Sequence, residues 1–167
     1  MKKIGLFLAM FLAVTCSAED ILGFRDMLWG DSPAKLGKYT VEKKYPTENK
    51  VMYKRSSDEL KIGDAKLKEI LYDFFDNKLE KVIINFEGSD NLFAIKQAFE
   101  TKYKSNGFVQ PNKYMDQYFL VNVGQADISI LCSTGATNCY VFITNKNISK
   151  EAEEYKKNVA KKGAKDL

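Results

Sequence analysis

Two alternating apolar runs on either side of a polar turn constrain the fold of this chain more than any other feature. The runs cover 67–75 and 79–86, and each alternates with period two, as half-buried strands do. The turn Asp76-Asn77-Lys78 lies between them, and Asn77 suits the left-handed conformation of a tight turn. The pattern predicts a β-hairpin. Aromatic residues fall on both faces of the first strand, so we expect one face of the sheet to be partly exposed and able to bind a partner.

The remaining segments predict further strands and three helices. We expect a short helix from Ser32 with Leu36 and Tyr39 on its buried side, an amphipathic helix over 91–104, and a final helix capped by Ser149. The polar segment 43–50 is predicted to be a loop. Other strands are expected at 21–30, 51–55, 60–62, 117–123, 126–132 and 139–145.

The order of these elements predicts the α+β class. Short turns between strands imply an antiparallel β-sheet, with the helices packed mainly on one face. The order also allows two αβββ-like halves. We expect 19–160 to be a single domain and 161–167 to be a flexible, Lys-rich C-terminus.

The first eighteen residues predict export. A basic start, an apolar run over 4–14 and small residues before a polar chain are typical of a bacterial signal peptide at 1–18. Cleavage between Ala18 and Glu19 would leave a protein that is periplasmic or secreted. Lipidation at Cys16 is the alternative and would leave a membrane-anchored lipoprotein. No later apolar run is long enough to form a transmembrane segment in the mature chain.

Two cysteines of the mature chain predict a disulfide. If Cys132 and Cys139 face each other on adjacent strands, Ile130 faces Val141, so the bond lies among β-branched neighbours. An oxidising compartment favours the pairing. A redox-active pair is the alternative, but the two residues lack the CxxC spacing.

The composition excludes several classes of function. The chain has no histidine, which rules out Ser-His-Asp and Cys-His catalysis and removes the commonest transition-metal ligand. The formal charge of +4 falls by two without Lys2 and Lys3, so nothing indicates a nucleic-acid partner. Acidic residues near 73–80 lack EF-hand spacing. We therefore expect no metal and no cofactor.

Arg25 and Trp29 are candidate binding residues. Both residue types are favoured at binding hot spots, and both lie in one short segment near the start of the mature chain. The alternative for Trp29 is a structural role as a plug of the core beside a helix cap.

Several motifs resemble a family of small exported bacterial proteins of unknown function with an FRxxxWG-type start. The resemblance brings no catalytic residue and covers most of the mature chain. It rests on Phe24-Arg25, Trp29-Gly30-Asp31-Ser32, Leu60-Lys61-Ile62-Gly63, Tyr72-Asp73-Phe74, Lys78-Leu79, the helix with Leu92, Phe99, Lys102 and Tyr103, and Asn112-Lys113-Tyr114-Met115.

These observations favour a non-catalytic binding or accessory module of the periplasm or envelope over an enzyme. The expected partner is an envelope protein or peptide, held at an exposed strand edge or a sheet face. One alternative is a hydrolase that works without histidine, through a carboxylate pair or a Lys/Tyr constellation. Another is a lipid-anchored envelope assembly factor. The oligomeric state stays open.

Overall fold

The computed structural model describes residues 20–103, 108–109, 117–120 and 124–163. The expected cleavage site at Ala18 and Glu19 and the alternative lipidation site at Cys16 lie outside these ranges. The strands and helices are β1 (Gly23–Phe24), β2 (Met27–Leu28), β3 (Tyr39–Tyr45), β4 (Lys50–Arg55), β5 (Lys61–Ile62), β6 (Ala65–Lys66), β7 (Glu69–Phe75), β8 (Lys78–Phe86), α1 (Ser89–Tyr103), β9 (Phe108–Val109), β10 (Gln117–Leu120), β11 (Ala126–Cys132), β12 (Cys139–Asn145) and α2 (Lys146–Gly163).

The largest element is an eight-stranded sheet in the order β3-β4-β7-β8-β12-β11-β10-β9. Every neighbouring pair in it is antiparallel, which confirms the α+β class. The first four strands of this sheet along the chain form a meander followed by α1, and the last four form a second meander followed by α2. The repeated unit is therefore four strands and a helix, and the two units meet where β8 pairs with β12.

One face of the sheet, here called the core face, carries the main hydrophobic core. The predicted hairpin is confirmed: Tyr72 lies opposite Val82, and both are fully buried. The turn between the two strands consists of Asp76 and Asn77, whose φ angles are 48° and 59°. The core face continues across the second meander through Ile128, Ile130, Val141 and Ile143.

The edge strand β3 was not predicted. It takes up residues 43–45 of the segment 43–50 that was expected to be a loop, and Tyr39, expected on the buried side of a helix, is instead 40% exposed at the start of β3. The helix expected from Ser32 is only a 3-10 turn over Pro33–Leu36, which does bury Leu36. An edge strand contacts solvent on one side, so its sequence lacks the alternation that identifies a buried strand.

The two helices occupy different positions on the sheet. Helix α1 packs on the core face through Ile95, Phe99 and Tyr103, as its periodicity predicts. Helix α1 therefore lies where we expected the helices to pack, on one face of the sheet. Helix α2 instead packs through Ile148 and Ala152 on Phe75, which strand alternation places on the face opposite Phe74.

The cap of α2 differs from the predicted one. The helix begins at Lys146, and the Asn145 side chain accepts hydrogen bonds from the backbone N–H groups of Asn147 (3.1 Å) and Ile148 (2.9 Å). Asn145 is therefore the N-cap in place of Ser149. At its other end the helix extends to Gly163, three residues into the segment expected to be a flexible tail. In the part of the chain that the structure describes, no helix is both long and apolar enough to cross a membrane.

Candidate functional site

The disulfide forms where the sequence placed it. Cys132 and Cys139 are bonded and lie opposite each other on β11 and β12, with Cα atoms 4.1 Å apart. Ile130 faces Val141, as the predicted register requires. Both cysteines are buried, so the bond links the two strands on the core side rather than presenting a reactive sulfur.

Trp29 and Arg25 lie near the β1–β2 hairpin but differ in their surroundings. Trp29 is half-buried, donates a hydrogen bond from Nε1 to the Ile21 carbonyl oxygen (2.6 Å), and packs against the main core and against the smaller cluster under α2. This position gives Trp29 a structural role that joins the two clusters. Arg25 is at the hairpin tip with φ of 57° and lines two surface cavities.

A charged network fixes the Arg25 side chain. Its Nη1 donates to Asp58 Oδ1 at 3.0 Å, and its Nη2 donates to the backbone carbonyl oxygens of Glu59 and Lys61. Tyr72 also donates to Asp58 Oδ1, at 3.1 Å. Burial, and next the neighbouring Asp58 charge, raise the pKa of the Tyr72 hydroxyl, so it stays a donor to the carboxylate at physiological pH.

The second face of the sheet carries a half-buried apolar strip. Leu71, Ile83 and Phe142 lie directly opposite one another on β7, β8 and β12. The rings of Tyr140 and Phe142 are stacked, with centroids 6.1 Å apart, and Leu131 faces Tyr140 on β11. Leu131 is 43% exposed and the other four are half-buried. We call these five residues the open face.

The open face is bordered by polar residues and by one end of α2. On one side Lys54 lies opposite Leu71 and its Nζ is 3.5 Å from a carboxylate oxygen of Glu69. Helix α2 covers the neighbouring region around Phe75, where the Phe75 and Tyr155 rings are 5.7 Å apart. The sequence predicted a partly exposed sheet face from the aromatic residues on both sides of β7, and the half-buried strip agrees with that prediction.

Two buried carboxylates adjoin the open face. Asp73 is 6% exposed and Glu80 is 1% exposed. The Lys50 ammonium group pairs with Glu80 at 2.7 Å, whereas Asp73 Oδ1 accepts no hydrogen bond from the described residues. Burial raises the pKa of Asp73 to about 6, although Lys50 opposes the shift. Asp73 is therefore a buried acid whose charge is poorly compensated.

A groove lies on the other side of the molecule, between the hairpin tip and the end of α1. Its first cavity has a volume of about 270 Å³ and is lined by the buried rings of Phe24, Phe99 and Tyr103 together with Arg25 and Lys102, among others. A second cavity of about 230 Å³ shares Arg25, Lys102 and Tyr103 with the first. Arg25 was predicted from the sequence to be a binding residue, whereas Lys102, which comes from a helix far along the chain, was not.

The hydrolase alternative requires a cavity with two carboxylates or with a lysine beside a serine. One cleft of about 210 Å³ places Asp127 and Glu153 with Lys146, Lys150 and Ser149. Asp127 and Glu153 are both exposed, and Asp127 pairs with Lys146 at 3.4 Å. A carboxylic acid that serves as a general acid relies on burial, which these two residues lack. In the described ranges no group of three or more Cys, Asp and Glu side chains is arranged to hold a metal ion.

No protein-family profile, curated protein or solved structure matches this chain.

Proposed function

We propose that this protein is an exported, envelope-associated binding module, and that its open face receives an apolar segment of a partner protein. The observation that carries the proposal is the half-buried strip of Leu71, Ile83, Phe142, Tyr140 and Leu131 on the second sheet face. Antiparallel sheets often leave one face in water, but that face is then mainly polar. A contiguous apolar strip bordered by charged residues is typical of a protein interaction site.

The dimensions of the open face favour an amphipathic helix as the occupant. The strip crosses four adjacent strands, β7, β8, β12 and β11. Three strand spacings correspond to about 14 Å. An apolar helix face of about ten residues has the same length. A helix already covers the core face of this sheet in that manner, since α1 packs there through Ile95 and Phe99.

Photocrosslinking in cells tests this surface directly. A benzophenone amino acid is placed at Ile83 or at Phe142, and at Val41 as the control, because Val41 is apolar and 47% exposed but lies on the edge strand β3. We expect the two open-face positions to give the same crosslinked partner and Val41 to give none. Equal crosslinking at all three positions, or none at the two open-face positions, would refute the proposal.

A substitution separates binding from folding. Ile83→Gln removes apolar contact area from the centre of the open face, and Val41→Gln is the matched control. We expect I83Q to reduce crosslinking from Phe142 at least fivefold while thermal unfolding stays cooperative. Undiminished crosslinking in the folded I83Q variant would show that the open face is not the contact surface.

Export is supported by the signal-like start and by the disulfide, since such bonds persist in oxidising compartments. Cell fractionation tests it, and the intact mass of the purified native protein distinguishes cleavage after Ala18 from acylation at Cys16. A cytoplasmic protein that retains residues 1–18 would contradict this part of the proposal.

A further inference from the structure

The first cavity of the groove combines an apolar interior with a cationic rim. Phe24, Phe99 and Tyr103 are 7%, 4% and 5% exposed and form its interior. Ile62 lines the same cavity and is half-buried. The adjoining residue, Gly63, has φ of 55°, and a β-carbon built on it would lie 3.6 Å from the Ala98 side chain. The β5–β6 turn therefore approaches α1 closely and closes one side of the cavity.

Among the described residues that line this first cavity, the charged ones are the cations Arg25 and Lys102. The Arg25 guanidinium has five N–H groups, of which three donate to Asp58, Glu59 and Lys61. These bonds hold the side chain at the rim, and they leave two of its N–H groups outside the hydrogen bonds to Asp58, Glu59 and Lys61. Asp58 does not compete for the ligand position, because its side chain is 4% exposed and already accepts from Arg25 and Tyr72.

Lys102 supplies the second cation from α1. Its Nζ lies 5.3 Å from the centroid of the Tyr103 ring, at the wall shared by the two cavities. The second cavity also contains Asp20, which counters the positive charge there. The first cavity is therefore the one suited to an anion.

We propose that this cavity binds a small monocarboxylate with an apolar body, with the carboxylate between Arg25 and Lys102 and the apolar part against Phe24 and Phe99. Its volume of about 270 Å³ is just below that of ordinary ligand pockets, which fits a short acyl chain or a single apolar side chain. Free fatty acids and the C-terminus of a peptide ending in an apolar residue share this chemistry. The site is separate from the open face, so either proposal can fail alone.

Titration calorimetry on the mature protein tests the proposal with octanoate, octanol, a short peptide ending in leucine, and the C-terminal amide of that peptide. We expect at least one carboxylate to bind at least tenfold more tightly than its uncharged counterpart. A preference confined to octanoate identifies a fatty acid as the source, and a preference confined to the peptide acid identifies a chain terminus. Uncharged compounds that bind equally well, or no binding by either carboxylate, would overturn the proposal.

Two variants and one control locate the binding. Lys102→Gln removes the exposed cation and is expected to weaken carboxylate binding about tenfold, and Ala98→Leu fills the cavity and is expected to abolish binding. Lys150→Gln removes one charge from α2, away from the cavity, and serves as the control. Thermal unfolding verifies that each variant is folded. Unchanged affinity in folded K102Q, or a loss of the same size in K150Q, would contradict the assignment.

Discussion

Asp73 offers the sharpest test of the energetics of this fold. Its side chain is buried on the second face of the sheet, and Oδ1 accepts no hydrogen bond from the described residues. Lys50, the cation that most lowers the pKa of Asp73, is already paired with Glu80. Asp73→Asn keeps the size of the side chain and removes the charge. We expect this variant to be more stable than the natural protein at neutral pH.

The magnitude follows from the pKa of Asp73. Burial raises it from 3.8 to about 6, so the folded protein binds a proton more readily than the unfolded chain between these values. The contribution of Asp73 to stability therefore falls as pH rises from about 4 to about 6 and is constant above that range. The difference corresponds to at most about 3 kcal/mol of unfolding free energy at pH 7. Asp73→Asn removes this loss of unfolding free energy, because the asparagine side chain carries no charge at any of these pH values.

Urea denaturation at pH 3.5 and at pH 7 measures the effect. We expect D73N to exceed the natural protein by about 1–3 kcal/mol at pH 7 and to match it at pH 3.5. Asp127→Asn is the control, because Asp127 lies in the same row of the sheet face but is exposed, and it should change stability by less than about 0.5 kcal/mol. A D73N variant with unchanged or lower stability at pH 7 would refute the reasoning.

Three further substitutions test separate contacts. Replacing both Cys132 and Cys139 by serine should lower the free energy of unfolding in urea by about 2.5 kcal/mol. Reduction of the natural protein with dithiothreitol should lower it by a similar amount. No loss in either case would show that the bond adds no stability. Asn145→Ala should lower the free energy of unfolding by about 1 kcal/mol, because it removes the cap of α2. Asn145→Asp should retain most of the stability. Equal losses in the two variants would argue against capping. Asp26→Asn removes the negative charge and one of the two oxygens that accept from Arg55 (2.6 and 2.8 Å). Asp26 is 60% exposed, so the loss should stay below about 1 kcal/mol and shrink further in high salt.

The sequence predicted strands best in the interior of the sheet, where each strand is paired on both sides. The bounds of β11 and β12 agree with the predicted 126–132 and 139–145. Apart from Asn145, every second residue of these strands is apolar because it lies on the core face. The edge strand β3 was missed, since all but the last of its residues are exposed. The α2 cap was assigned to Ser149 because Asn145 is also the last residue of β12, and a helix that starts directly after a strand gives a weak signal in the sequence.

The candidate sites were less predictable than the strands. Arg25 stood out by residue type, but Lys102 and Phe99 reach the same cavity from a helix more than seventy positions later. The open face has a similar origin, since Leu71 and Ile83 belong to one hairpin whereas Phe142 comes from the second meander. Neither the cavity nor the open face therefore corresponds to a local motif in the sequence.

The sequence alone determined the antiparallel hairpin of β7 and β8, the register across Cys132 and Cys139, and the absence of histidine chemistry. Period-two alternation and turn residues act over a few positions, so they are legible without the rest of the chain. Only the tertiary structure decided that β8 pairs with β12, that α2 covers just one end of the second sheet face, and that a cavity forms beside Arg25. These features depend on contacts between segments distant in sequence, whose free energy comes from shared burial rather than from local conformation.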